Sequence, residues 1–309
     1  MKRLLALITS ALLTASAVPF SASAESNAEI KSGIVDGVTY YYSDWDSATM
    51  EIRIVGAENA SGDIVIPKFI DGYMVEGIAE RAFFCNTEIT SVTFPDVLPF
   101  IGDHAFTGCT ALERVILPSN DATLGKGCFE SCIGLKYLNL GSSITSIPDD
   151  CFMSCNKLAA VDIPKSVSNI GDQAFYGCTD LRKIVLENKS IQLGFNSFGS
   201  YYDLRKGGTD HLAGFTVYGV TGSTAEEYAS NFDYDFVELK GEIVGDADMS
   251  GTLSAADASA VLKEYADTTA NYAPTFTALQ RKNGDLDKDG MLTAKDASMI
   301  LSIYANSQM

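Results

Sequence analysis

Apolar residues recur along the middle of this 309-residue chain with a fixed spacing. Six phenylalanines, each 23 residues after the one before, stand at Phe83, Phe106, Phe129, Phe152, Phe175 and Phe198. A second apolar series keeps the same spacing at Ile78, Ile101, Leu124, Ile147, Ile170 and Leu193. A period of this length is typical of stacked units, each of which buries the apolar face that its neighbour exposes. The pattern therefore predicts a solenoid of 23-residue coils.

Each coil also carries the pattern of a short strand. Leu112, Val115 and Leu117 form an L-x-x-V-x-L frame that alternates at its end, and Pro118 follows it. Because alternation favours a strand and proline ends one, equivalent strands of successive coils are expected to pair side by side, about 4.8 Å apart.

The two ends of the array are expected to be irregular, because an open stack of strands needs covers. Residues 62–80 predict an irregular first coil, and the repeating frame breaks after Leu204. Beyond the break, the pattern predicts a strand, a capped helix from Ser223 and a last strand.

These segments carry a family resemblance. The stretch IGDHAFTGCTALERVILP, residues 101–118, resembles the consensus of leucine-rich repeats of the BspA type, and VYGVTGSTAEEYA, residues 217–229, resembles their usual closing coil. The resemblance covers residues 33–239 and implies a β-rich leucine-rich-repeat solenoid with end caps. Such arrays resemble surface adhesins and binding proteins, and they share no catalytic motif. The resemblance implies a protein, cell-surface or polysaccharide ligand.

A partly basic strip on the exposed faces of the strands is the candidate ligand site of this array. An ordinary solvated face is the alternative interpretation of the same residues. The strip comprises Arg114, Lys136, Tyr137, Arg182 and Lys183.

The charge balance narrows the choice of partners. The chain has 40 acidic and 22 basic side chains, a formal net charge of −18 and 46% apolar residues, which is enough for ordinary cores. Nucleic acids and anionic membrane surfaces need a basic face, so the charge argues against both as main partners.

The N-terminus predicts an exported protein. Lys2 and Arg3 precede an apolar stretch, residues 4–18, and a small-residue site that ends at Ala24. These features form a secretory signal over residues 1–24. A membrane anchor is the weaker alternative, because the apolar stretch is short for about 30 Å of hydrocarbon. The mature chain would lose two positive charges, carry −20 and be extracellular.

Seven cysteines in an exported chain would ordinarily suggest disulfides. Here most of them recur at equivalent coil positions, so we expect a ladder of buried thiols in preference to bridges. A Cys–His nucleophile pair can be drawn from Cys109 with His104 or His211, but Cys109 belongs to a repeated structural position. Zinc is disfavoured because the short C-x2-C pairing is absent.

Two twelve-residue acidic loops near the C-terminus carry the clearest chemistry. DADMSGTLSAAD, residues 246–257, and DLDKDGMLTAKD, residues 285–296, place oxygen ligands at loop positions 1, 3, 5 and 12 and glycine at position 6. This is the EF-hand spacing, in which alternate residues point inward and glycine permits the sharp turn. The sequence predicts two calcium ions. The first would be bound by Asp246, Asp248, Ser250, the Thr252 carbonyl and Asp257, and the second by Asp285, Asp287, Asp289, the Met291 carbonyl and Asp296.

Each loop is followed by a helical pattern, in DASAVLKEYA from Asp257 and DASMILSIYA from Asp296. No comparable helix is predicted before the first loop. A loop followed by one helix, twice, over residues 241–309 resembles a type I-like dockerin, the small all-α calcium module that attaches cellulosomal proteins to cohesins. The resemblance implies a cohesin of a scaffoldin as partner and a linker near Lys240.

The resemblance also places the cohesin contacts. They fall on loop positions 10 and 11 and on the helix that follows each loop. In this sequence they are Ala255, Ala256, Lys263 and Glu264 in the first half, and Ala294, Lys295, Ser302 and Ile303 in the second. Because the two sets differ, two-orientation binding is not expected.

The sequence therefore predicts a secreted, non-enzymatic component of a cellulosome-like complex at the cell surface. In this hypothesis a calcium-dependent dockerin attaches the protein and the repeat domain binds a ligand. The alternative is an enzyme or a protease inhibitor that the dockerin carries. Because so small a module has little core, we expect ion binding to supply folding free energy and chelation to abolish cohesin binding.

Overall fold

The computed structural model describes residues 29–46, 50–118, 120, 122–239, 244–269, 276, 278–288 and 291–308. Three sequence predictions lie outside these residues: the signal over residues 1–24, the linker residue Lys240 and the calcium ligand Asp289.

The 23-residue period folds into coils that each supply two short strands. The first series covers one face of the array with β8 (Phe100–Ile101), β10 (Thr123–Leu124), β12 (Ser146–Ile147), β14 (Asn169–Ile170) and β16 (Gln192–Leu193). The second series covers another face with β7 (Ile89–Thr93), β9 (Arg114–Ile116), β11 (Tyr137–Asn139), β13 (Ala160–Ile163) and β15 (Lys183–Leu186). We call the exposed side of this second series the strand face.

Within each sheet of the array, equivalent strands pair in parallel with a register of one repeat. Val92 of β7 lies opposite Val115 of β9, which lies opposite Leu138 of β11. Val161 of β13 lies opposite Ile184 of β15 in the same way. The pairing confirms the predicted β-solenoid and the side-by-side strands.

Aromatic stacking runs through the core of the array. The centroid of the Phe106 ring lies 4.7 Å from that of Phe83 and 5.2 Å from that of Phe129. Phe152 continues the nearly parallel stack at 5.5 Å from Phe129 and 5.2 Å from Phe175. All five rings are buried, and the three inner rings fill the space between two neighbours and gain dispersion contacts on both sides.

The N-terminal end is covered by strands that precede β7. The first three pair antiparallel with one another, and the fourth pairs in parallel with β7. The bounds here are β1 (Ile30–Val35), β2 (Val38–Asp46), β3 (Glu51–Glu58), β4 (Gly62–Val65), β5 (Phe69–Ile70) and β6 (Tyr73–Ile78). The first strand begins at Ile30, three residues before the N-terminal limit of the family resemblance. Tyr40 and Tyr42 of β2 point into the core, so this end of the stack is closed by large aromatic side chains.

The C-terminal end of the array departs from the repeat where the sequence predicts a break. A hairpin forms from β17 (Ser200–Asp203) and β18 (Gly208–His211), and the closing elements are β19 (Thr216–Gly219), α1 (Thr224–Asn231) and β20 (Asp235–Glu238). The Ser223 side chain accepts a hydrogen bond from the Glu226 backbone N–H and caps α1. The strand, capped helix and last strand therefore form as predicted.

Residues between 244 and 308, here called the C-terminal module, have a core of their own. Three helices surround it: α2 (Ala255–Thr269), α3 (Ala278–Gly284) and α4 (Ala294–Ser307). The buried cluster comprises Ala247, Ala258, Val261, Leu292, Ala297 and Ile300. The sequence predicts α2 and α4, but not α3, which precedes the second acidic loop. Among the described residues, no helix combines the length and apolar character that crossing a membrane requires.

Candidate metal centre and strand face

The first acidic loop brings its carboxylates together. Oxygen atoms of Asp246, Asp248 and Asp257 all lie within 4.8 Å of one another. Gly251, with φ +81°, allows the chain to turn back, and its N–H donates to Asp246 Oδ2 over 2.9 Å. The Asp248 N–H donates to Asp257 Oδ1 over 3.0 Å, which ties the loop to the first turn of α2.

One oxygen of this cluster is buried without a partner. Asp246 is 3% exposed, and its Oδ1 has no hydrogen-bond donor among the described residues. Burial raises the pKa of Asp246 and of Asp257. At Asp248 burial also raises the pKa, but hydrogen bonds, led by that from the Ser250 N–H, outweigh it and leave the pKa below its ordinary value.

The second acidic loop repeats the arrangement. Oxygen atoms of Asp285, Asp287 and Asp296 also lie within 4.8 Å of one another. Asp296 is fully buried, and its Oδ1 accepts from the Leu286 N–H over 2.9 Å. Thr293 caps α4 with a reciprocal capping box to Asp296, so the last carboxylate of the loop is fixed at the helix N-terminus.

Among the described residues, the other predicted ligands of the two loops are exposed. Ser250 and Thr252 stand on the exposed rim of the first loop, where Ser250 Oγ donates to the Thr252 carbonyl over 3.1 Å. Met291 is exposed at the equivalent rim of the second loop. Three clustered carboxylates per loop and a buried, unpaired oxygen fit a hard divalent cation such as calcium, which prefers oxygen ligands.

Two side chains of helix α3 form hydrogen bonds with the backbone of the first loop. The side chains of Gln280 and Asn283 are each 4% exposed. Gln280 Nε2 donates to the Ala247 carbonyl over 2.9 Å, and Asn283 Nδ2 donates to the Asp246 carbonyl over 3.0 Å. Sequence reasoning missed both residues, because α3 belongs to neither of the repeated patterns.

Seven of the eight residues expected to contact a cohesin are exposed. They are Ala255, Ala256 and Lys263 of α2 and Ala294, Lys295, Ser302 and Ile303 of α4. The eighth, Glu264, is 1% exposed and accepts a hydrogen bond from Arg281 Nη2 over 2.6 Å. Glu264 is therefore a buried, paired residue inside the C-terminal module in this arrangement.

The basic residues of the predicted strip lie on the strand face or beside it, and they have partners there. Lys136 forms an ion pair with Glu113 at 2.7 Å, and the guanidinium of Arg114 lies 4.4 Å from the centroid of the Tyr137 ring. Arg182 donates to the carbonyl oxygens of Thr179 and Leu181.

The fifth strip residue, Lys183, contacts the C-terminal module. Its ammonium donates to Gln280 Oε1 and lies 5.6 Å from the centroid of the Phe276 ring. Burial lowers the pKa of Lys183 to about 8, with Glu264 and Asp162 acting in the opposite sense.

The thiols form the expected buried ladder. The Sγ atoms of Cys109, Cys132, Cys155 and Cys178 each donate to the carbonyl of the phenylalanine one coil before, at 3.2 to 3.3 Å. The seven cysteines are free, and Cys85 is the one that is exposed.

The structure does not assemble the Cys–His pair considered above. His104 Nδ1 lies 3.2 Å from Thr107 Oγ1 and 3.4 Å from Glu130, while the Cys109 thiol points to a backbone carbonyl. His211 Nδ1 contacts the Tyr234 hydroxyl at 3.0 Å. Neither histidine has a hydrogen bond to a thiol among the described residues.

Several solved structures are similar to this chain. A leucine-rich-repeat protein of T. pallidum is 24% identical, with a TM-score of 0.46, over 64% of this chain and 95% of its own. A leucine-rich cell-surface protein of Faecalibacterium prausnitzii is 18% identical, with a TM-score of 0.42, over 62% of this chain and 71% of its own. The pneumococcal vaccine antigen PcpA is 16% identical, with a TM-score of 0.40, over 68% of this chain and 48% of its own. None of the curated proteins compared with the chain matches it.

The family comparison agrees with the period of the sequence and with the stacked coils. Six copies of the BspA type leucine-rich repeat match residues 76–205. The matched residues span the phenylalanine stack and both strand series. Residues 76–205 are therefore similar to the BspA type leucine-rich-repeat region.

Proposed function

We propose that this protein is a secreted, non-catalytic component of a cellulosome-like complex. In this proposal the C-terminal module binds calcium and attaches to a cohesin, and the repeat array binds a protein, cell-surface or polysaccharide ligand. The observation that carries the proposal is the geometry of the first loop. There a buried Asp246 oxygen, which has no hydrogen-bond donor in the part of the chain that the structure describes, belongs to a cluster with two further carboxylates.

The residues of the two loops fit calcium in number and kind. Asp246, Asp248 and Asp257 would hold one ion, and Asp285, Asp287 and Asp296 would hold the other, with rim oxygens completing each shell. A bound divalent cation supplies charge neutralisation and hence folding free energy. The side chains themselves position the chain: Asp257 and Asp296 each join a loop to the helix that follows it.

Attachment would use the exposed surface of the helices that the loops begin. The exposed residues of α2 and α4 include Leu262 and Leu301, each 44% exposed, next to the expected cohesin contacts. Apolar side chains presented in pairs on a small module support a protein partner more than a small-molecule one. Catalysis is not proposed, because the candidate thiol and histidines serve structural contacts.

The test is a titration of the full secreted chain with calcium, followed by binding to a panel of cohesins with calcium and with excess chelator. We expect uptake of two ions by calorimetry and cohesin capture that chelator abolishes. Capture that persists in chelator would contradict calcium-dependent attachment. Uptake of calcium without capture by any cohesin would overturn the attachment role and retain the metal site.

A further inference from the structure

The strand face has a notch where it meets the C-terminal module. Arg114, Tyr137, Ala160 and Lys183 occupy equivalent positions in four successive coils. Tyr137 pairs with Arg114 and Ala160 pairs with Lys183, in two separate sheets. Ala160 is the small member of this column. A cavity of about 140 Å³ lies there, lined by Tyr137 and Ala160 of the array and by Phe276 and Arg281 of the module.

Lys183, at the edge of this notch, depends on the module for its partners. Its amine donates to Gln280 and lies over the Phe276 ring at 5.6 Å from the centroid. Glu264 and Asp162 are acids near the amine, and Arg281 is the nearby cation. An ammonium removed from water needs hydrogen bonds or opposite charge to offset the cost of desolvation. The module provides the hydrogen bond, the aromatic face and one of the two acids.

Gln280 joins this contact to the first acidic loop. Its Oε1 accepts from Lys183, and its Nε2 donates to the Ala247 carbonyl, which lies between Asp246 and Asp248 in the chain. Asn283 of the same helix donates to the Asp246 carbonyl, and the Gly245 N–H donates to the Asn283 carbonyl over 2.8 Å. Three hydrogen bonds therefore make the position of α3 depend on the backbone of the first loop.

We infer that the strand face around Lys183 is the docking surface for the α3 side of the chain's own C-terminal module. Gln280 is the positioning residue that couples this docking to the first metal loop. Docking closes the notch at Ala160, so a ligand of this part of the strand face has to displace the module. The coupling rests on the proposed calcium site, whereas the docking itself does not.

The test is lysine footprinting of the full chain. Acetylation by a water-soluble N-hydroxysuccinimide ester is followed by mass spectrometry at Lys183 and at the exposed Lys157 and Lys165, which lie on the same array. In calcium we expect Lys183 to react at least about tenfold more slowly than the two reference lysines. Acetylation requires an accessible amine, and the contacts with Gln280 and Phe276 exclude the ester even though burial increases the neutral fraction of this amine. Chelator should bring its rate close to theirs.

Variants separate docking from folding of the module. Phe276→Ala and Gln280→Ala should each release Lys183 in the presence of calcium. Lys282→Ala, an exposed change on the same helix, should leave it protected. Calorimetry of each variant reports whether the metal loops remain competent, which is a readout independent of the footprint.

The outcomes distinguish the parts of the inference. Lys183 reacting as fast as Lys165 in the calcium-loaded chain overturns the docking. Protection that chelator does not change, in a chain that takes up calcium, overturns the coupling alone. Absence of calcium uptake overturns the metal site and the coupling together. In that case the docking is tested by the protection of Lys183 alone.

Discussion

The sulfur atoms of Cys128 and Cys151 lie 3.3 Å apart in the core of the array. The two residues precede Phe129 and Phe152 in neighbouring coils, where the coils on either side carry Ala105 and Ala174. They contact each other as stacked, buried thiols, and burial raises the pKa of Cys151 well above its ordinary value.

The thiol ladder predicts a simple titration. We expect one cysteine, Cys85, to react with a thiol reagent in the native protein, because the six others are buried. In denaturant we expect all seven to react. If only five cysteines react in denaturant and a peptide links Cys128 to Cys151, the two form a disulfide and the prediction is wrong. Cys85→Ala is the control, and it should remove the native reaction.

The phenylalanine stack predicts a large loss of stability when one ring is removed. Phe129→Ala leaves a cavity between Phe106 and Phe152, and we expect it to lower the free energy of unfolding by about 3–5 kcal/mol. Phe195→Ala is the matched control, because that ring is 68% exposed, and it should cost less than about 0.5 kcal/mol. Urea denaturation of both variants is the measurement; equal losses would contradict the stacked core.

The two acidic loops are predicted to differ in calcium affinity. At comparable rigidity, the second loop should bind more tightly, because its sequence provides four carboxylates and the first provides three, with neutral Ser250 in place of the fourth. Asp296→Asn should therefore weaken the tighter step by about tenfold or more, and Asp257→Asn the weaker step. Calorimetric titration in calcium-free buffer distinguishes the two. An intact tight step in the Asp296 variant would contradict the ranking.

The buried amine of Lys183 predicts a pH dependence in alkaline solution. Its pKa is lowered from 10.5 to about 8, so the folded chain binds fewer protons than the unfolded chain between these values. Stability therefore rises as the pH increases from about 8 to 10.5, and the gain is lost as the pH falls through 8.

Comparison with Lys183→Met isolates this effect, because methionine keeps much of the side-chain volume and does not titrate. The urea midpoint of the wild-type helical signal should rise relative to that of the variant across this range. If the difference between the two urea midpoints stays the same at every pH, Lys183 is solvated and the prediction is wrong.

The repeat array could be predicted from the sequence because its information is local and repeated. Phe83 to Phe198 and Ile78 to Leu193 mark the same position of each coil, and one period determines the parallel strands, their register and the ring stack. The acidic loops are local in the same sense: Asp246 to Asp257 contains both the turn glycine and the carboxylates. Ser223 could be predicted as a helix cap for the same reason.

The contacts of α3 could not be predicted in this way. Gln280, Asn283 and Phe276 stand outside both repeats, and their partners Ala247, Asp246 and Lys183 are 33, 37 and 93 residues away in the sequence. Glu264 has the pattern of an exposed helix residue, yet Arg281 of another helix covers and pairs with it.

The sequence by itself determined the coil, its stacking and the composition of the two acidic loops, because each is specified by residues within about one repeat of one another. Only the tertiary structure decided which side chains of the module are buried and that Lys183 of the strand face meets Phe276 and Gln280. The physical reason is that burial and hydrogen bonding between distant segments depend on how complementary surfaces pack, and no periodic pattern records that.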